Sequence, residues 1–114
     1  MAVYSEAADY TDEMLSVSDS HMERADAFVE GVLRQKGIDP AEVSLPNPDL
    51  TALAVFYASH LAAVENAAGE DPVLESKAKH YMDLYKDKRE QIDRQVLGIE
   101  SGPDPYSAIT IGRG

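Results

Sequence analysis

Two helix-start signals frame the middle of this chain and limit what it can become. Asn47-Pro48-Asp49 places a capping amide, a proline at the first helical position and an early carboxylate in the order helix starts prefer, and Asp71-Pro72 repeats the device. Between them Leu50, Ala54, Tyr57, Leu61, Val64 and Ala68 recur at helical spacing, while Leu53, Val55, Phe56, Ala58 and Ala62 make much of the remaining circumference apolar. A helix apolar nearly all round has to be surrounded. The pattern predicts a main helix that is either the centre of the domain or shared between the domain and a neighbouring subunit, closed at Gly69. The short gap before Asp71 predicts an antiparallel hairpin with the helix that follows.

That next helix is expected from about Pro72 to Leu97, where Leu74, Ala78, Tyr81, Tyr85, Ile92 and Val96 keep helical phase. It would span about 39 Å and end at Gly98. Upstream, Ser20-His21-Met22-Glu23 has the form of a capping box, followed by Met22, Ala25, Val29 and Val32 with Phe28 and Leu33 beside them, and by Gly37 as a stop. This predicts a first main helix near residues 20–36. Residues 38–47 read as a connection with one helical turn at Pro40-Ala41-Glu42-Val43. The first sixteen residues suit a short helix or an ordered arm, with Val3, Ala7, Met14 and Leu15 as anchors and Asp9, Asp12 and Glu13 solvated.

The last stretch cannot continue the helical body. SGPDPYSAITIGRG, residues 101–114, combines prolines, glycines and the β-branched Ile109-Thr110-Ile111 run, which favours an extended segment. The expected fold is all-α: a small helical bundle of three main helices plus a short N-terminal segment, with an extended C-terminal tail. The partition is 1–19 as arm or short helix, 20–98 as bundle and 99–114 as docking tail.

At 114 residues the chain fits one domain with a real core. It is 44% hydrophobic, too apolar for wholesale disorder. The absence of cysteine excludes disulfides and thiolate metal sites. No apolar run is long enough for a membrane span, and the acidic N-terminus is unlike a basic signal peptide, so cytoplasmic synthesis without membrane association is expected. A net charge of −11 repels phosphate backbones, which argues against sequence-specific DNA binding. Such acidity suits a passage through which DNA slides without sticking, but more often it marks a surface that is merely soluble.

Candidate chemistry is sparse. His21, His60 and His80 invite a metal reading, but neither Glu-x-x-His nor His-Glu-x-x-His occurs, so no metal and no cofactor is expected and His60 reads as a satisfied core or interface histidine. The serines sit at caps and turns, and no nucleophile elbow, phosphate loop or dinucleotide fingerprint is present. No catalytic residue is assigned and an enzyme is not expected. Tyr81 and Tyr85 with Tyr57 suit either a recognition surface or, preferably, packing at the hairpin seam with their hydroxyls at its edge. Lys77, Lys79, Lys86, Lys88, Arg89 and Arg94, interleaved with carboxylates, read as a solvated ion-pair face, or as a complement to an acidic face of the next copy in a ring.

Taken together, the acidic arm, Leu45-Pro46-Asn47-Pro48-Asp49-Leu50, Ala54-Val55-Phe56-Tyr57-Ala58, Lys77-Ala78-Lys79-His80-Tyr81 and the terminal Ile109-Thr110-Ile111-Gly112-Arg113-Gly114 resemble small head-to-tail connector (adaptor) proteins of tailed bacteriophages. The resemblance lies in helix order, helix lengths and tail from about Ser20 onward. It implies a structural virion protein of the neck region. The helical protomer would assemble as a homo-oligomeric, dodecameric ring below the portal protein, next to neck or tail proteins, and extend the DNA channel. It further implies that the tail docks on the portal. Tyr106, Ile109, Thr110, Ile111, Gly112, Arg113 and Gly114 are the expected docking residues: the β-branched run would add to a sheet edge or lie in a groove, the glycines allow close approach, and Arg113 would pair with a carboxylate. Carboxylates near the N-terminus and at Glu70-Asp71 are the candidates to face the channel. A cytosolic helical interaction protein, such as a small chaperone or regulator, has the same composition, and a neck or tail-completion ring has the same residues. Stoichiometry separates the first of these from a connector.

Overall fold

The computed structural model describes residues 3–67 and 70–99, and within them the protein is helical with no strand. Three helices follow one another: α1 (Asp19–Gln35), α2 (Pro48–Ala67) and α3 (Pro72–Gln91). Two 3₁₀ turns accompany them, Ala7–Asp9 in the arm and Pro40–Glu42 in the α1–α2 connection. Side-chain links fix the directions. His21 at the start of α1 meets Glu65 near the end of α2, and Asp49 at the start of α2 meets Lys88 near the end of α3. Each neighbouring pair is therefore antiparallel, and α2 is the central helix, packed against both others.

Local capping explains two of the three helix starts as expected. The Asn47 side-chain oxygen accepts from the Asp49 and Leu50 amides at 3.0 and 3.2 Å, and that of Asp71 accepts from Val73 and Leu74 at 3.0 and 3.2 Å. The third start differs. The N-cap is Ser18 rather than Ser20, and the reciprocal acceptor is a histidine rather than Glu23: Ser18 Oγ accepts from the His21 amide at 3.3 Å, while the Ser18 amide donates to His21 Nδ1 at 3.0 Å. His21 serves because its ring is buried and held from the other side by Glu65. At the other end of α1, Gly37 adopts φ 76°, so that Ile38 donates to Leu33 O at 2.8 Å and Gly37 to Arg34 O at 3.0 Å. This reversal drops Ile38 into the core, 1% exposed.

The third helix ends six residues earlier than its periodicity predicts, at Gln91 rather than Leu97. Its 20 residues span about 30 Å. The cause is Ile92, which turns to extended backbone and buries its side chain at 1% exposure under the bundle. Asp93 then caps a single further turn by accepting from the Val96 amide at 2.7 Å, and Gly98 at φ 74° closes it, with Ile99 donating to Arg94 O at 2.9 Å. Lys36 donates to the carbonyls of Arg89 and Ile92, tying the end of α1 to the end of α3.

The apolar core has two parts. The larger gathers Val29, Val32, Leu33, Ile38, Leu50, Leu53 and Ile92 with Tyr4 of the arm, and the smaller joins Leu15 to Ala62, Ala63, Ala67, Leu74 and Ala78. The expected α2 stripe is only partly the buried one. Leu50 and Ala54 are buried, Tyr57 and Leu61 are half-buried, and Val64 is 49% exposed. Leu53, Ala58, Ser59, Ala62 and Ala63 are buried instead, because α2 is flanked on two sides and its small residues admit close neighbours. Ala68 and Gly69 lie outside the described residues, as do Tyr106, Ile109, Thr110, Ile111, Gly112, Arg113 and Gly114 of the expected docking tail.

Candidate interaction surface

The arm decides which sides of the bundle are covered. Asp26 of α1 is buried and accepts from two consecutive arm amides, Val3 at 2.8 Å and Tyr4 at 3.1 Å. Thr51 of α2 donates its hydroxyl to Tyr4 O at 2.8 Å, and the Tyr4 hydroxyl reaches Glu30 at 3.3 Å. Further along, one carboxylate oxygen of Asp12 accepts from both Lys77 Nζ at 2.7 Å and the Tyr81 hydroxyl at 2.9 Å on α3. The arm is thus strapped to all three helices. This corrects the expectation that Asp12 is solvated and that Val3 and Met14 anchor the arm: those two side chains are 54% and 55% exposed, Ala7 is exposed, and the anchors are Tyr4, Ser5 and Leu15. Val3 holds by its backbone alone.

The strap also sets titration. The Lys77 hydrogen bond, with that of Tyr81 behind it, holds the Asp12 carboxyl below the usual carboxylate range. His21, then Arg24, does the same for Glu65. Burial, with Glu30 next in size, pushes the Tyr4 phenol up to about 12, and burial with Asp12 pushes Tyr81 to about 12. A phenol whose folded pKa is raised favours folding fully below its unfolded value near 10, and that contribution disappears as pH rises through the folded value. Tyr4 and Tyr81 are therefore expected to ionise late, and the strap to loosen between about pH 10 and 12. Phenolate absorbance followed together with helical circular dichroism checks this. Tyr4 and Tyr81 titrating near pH 10 with helicity intact would contradict it.

A second surface lies away from the strap. Phe28 is two residues beyond Asp26 on α1, about 200° round the helix. Its ring stacks on Tyr57 with centroids 4.0 Å apart and an interplanar angle of 2°. Tyr85 of α3 meets both rings edge-on, at 5.3 Å to Phe28 and 5.1 Å to Tyr57, and His60 stands 5.4 Å from Tyr85. All four side chains are half-buried. They form an aromatic seam from three helices, with one side in the core and the other at the surface. His60 Nδ1 lies 2.8 Å from the Ala78 carbonyl, which only accepts, so this nitrogen carries the proton. Of the three tyrosines considered from sequence, Tyr57 and Tyr85 meet here, whereas Tyr81 belongs to the strap. Phe28, the stacking partner, was legible only as a member of the α1 apolar face.

The remaining features are modest. One hollow of about 380 Å³ lies beside the arm, between Tyr4, Glu6, Asp9, Leu45, Pro46 and Thr51. Another of about 500 Å³ lies over Pro72, Val73, Ser76, Lys77 and His80 at the start of α3. His80 packs its ring against Tyr81 at 5.3 Å. Among the described residues no three His, Asp or Glu side chains are grouped to hold a metal, and no helix is long and apolar enough to cross a membrane. The α3 cations are largely in ion pairs: Lys77 with Asp12, Lys79 with Asp83, Lys88 with Asp49 and Arg89 with Glu90. Arg94, expected on that helix, lies past its end and faces Glu42. No protein-family model matches the chain, and no curated protein and no solved structure is significantly similar to it.

Proposed function

We propose that the chain is a structural subunit of a head-to-tail connector in a tailed bacteriophage, forming a ring below the portal and extending the DNA channel. The observation that carries this reading is where the body finishes. Gly98 and Ile99 close the last turn with Ile99 against the core, and the sequence beyond holds Pro103, Pro105, the Ile109-Thr110-Ile111 run and Gly112 and Gly114. A finished helical domain followed by such a segment is the layout of a protomer with a separate docking element, and docking by strand addition or groove insertion fits those residues.

Charge supports the same reading. Residues 1–50 carry eleven acids against three bases, and residues 51–99 eight against six. One copy thus has a strongly acidic arm-and-α1 part and a nearly balanced α2–α3 part. Contacts between these two different parts of neighbouring copies would be of the head-to-tail kind that closes into rings. A ring of chains each at −11 is a negative annulus through which DNA passes without sequence-specific binding.

Electron microscopy of the assembly that contains this chain, with native mass of the isolated protein alongside, tests the proposal. The expected image is a closed ring of this subunit beneath a portal. A discrete monomer or dimer that joins no ring would favour the regulatory interaction protein instead.

A further inference from the structure

The aromatic seam lies close to the point where the described chain ends. Ile92 and Gln35 mark that end of the bundle, joined through Lys36. Tyr85 and Phe28 each lie seven residues before them, roughly 10 Å along their helix axes. From Ile99, packed against the larger core cluster, seven further residues reach Tyr106, and an extended chain of that length spans about 23 Å. The seam is within reach of its own chain.

The residues within that reach have a matching chemistry. Pro103-Asp104-Pro105-Tyr106 is a proline-bracketed acidic segment ending in an aromatic ring. Proline-rich segments recognise grooves lined by aromatic rings, because the pyrrolidine faces pack on the rings and the extended backbone is ordered beforehand. The seam also has a cation at its edge. Burial, then Tyr57, pushes the Tyr85 phenol up, and Arg89 is near enough to work against that shift; the Arg89 side chain is 36% exposed. Among the described residues its carboxylate contact is Glu90 at 3.9 Å, beyond hydrogen-bond range. A guanidinium near the Tyr85 ring of the seam suits an Asp set between two prolines.

We propose that the Pro103–Tyr106 segment docks on the Phe28–Tyr57–Tyr85 seam of its own chain, with Asp104 paired to Arg89. Docking there leaves residues 107–114 to project from a defined point on the body. The proposal stands independently of the connector reading, since it concerns the free protomer.

The absence of native cysteine makes the test direct. Full-length chain carrying Ser107→Cys, modified with a nitroxide spin label, is examined by NMR with labelled Phe and Tyr rings. The ring signals of Phe28, Tyr57 and Tyr85 are expected to broaden severalfold more than the methyls of Val73 at the far end of α3. The effect should persist on tenfold dilution. It should fall severalfold in Arg89→Glu and survive Arg34→Glu, a control on the exposed side of α1. Rings left sharp, broadening that disappears on dilution and so belongs to a second copy's tail, or broadening indifferent to the Arg89 charge would each overturn the proposal.

Discussion

Replacing Asp26 by alanine is expected to cost about 3 kcal/mol of stability and to lower the melting temperature by roughly 10–20 °C. The carboxylate holds the arm backbone at two points, accepting from Val3 and Tyr4 at 2.8 and 3.1 Å. Without it two amides lose a charged acceptor, each worth about 1.5–3 kcal/mol when it is present. They must then either stay unpaired or swing out to water. Swinging out removes Tyr4, 5% exposed, from the larger core cluster and breaks the Thr51 bond to its carbonyl. Asp26→Asn retains one oxygen acceptor and should cost about half as much. Thermal unfolding followed by circular dichroism measures both. A loss below about 1 kcal/mol would mean that the arm adds little to the fold.

That strap was the part of the structure least legible in the sequence. Asp12, Asp26 and Tyr4 carry no signature of the strap, because their partners in it lie between 22 and 69 positions away along the chain. An isolated Asp in an acidic arm reads as solvated until Lys77 and Tyr81 are known to face it. The starts of α2 and α3 were legible for the opposite reason. Asn47 and Asp71 satisfy amides two and three residues ahead, so the whole interaction sits inside the motif. The start of α1 was misplaced by two residues because a histidine ring does the work usually read from Glu or Gln. The end of α3 was misplaced because Ile92 keeps helical phase in sequence while its burial is decided by tertiary packing against α1 and α2.

The seam was half legible. Tyr57 and Tyr85 share the α2–α3 interface that the hairpin prediction implies, but the stacking of Phe28 requires the α1–α2 register, which no local pattern supplies. Tyr81 is only one turn from Tyr85, yet that turn is enough to move it from the seam to the strap. The phase of α2 failed for a related reason. When nearly every position is apolar, hydrophobic spacing no longer selects a face, and the alanines mark the close approaches instead.

The central claim is that the chain has two separable parts, a self-sufficient helical body and a C-terminal segment that attaches it to a partner. Deleting residues 107–114 tests it most directly, with thermal unfolding of the isolated protein and co-purification with its assembly measured on the same preparation. The deletion removes Ile109-Thr110-Ile111 and the glycines around Arg113, and takes away none of the residues that form the capping, strap and core contacts described above. Helical content and melting temperature are expected to match the full chain within error, while attachment to the partner ring is lost. A truncated chain that unfolds, or one that still attaches, would contradict the account.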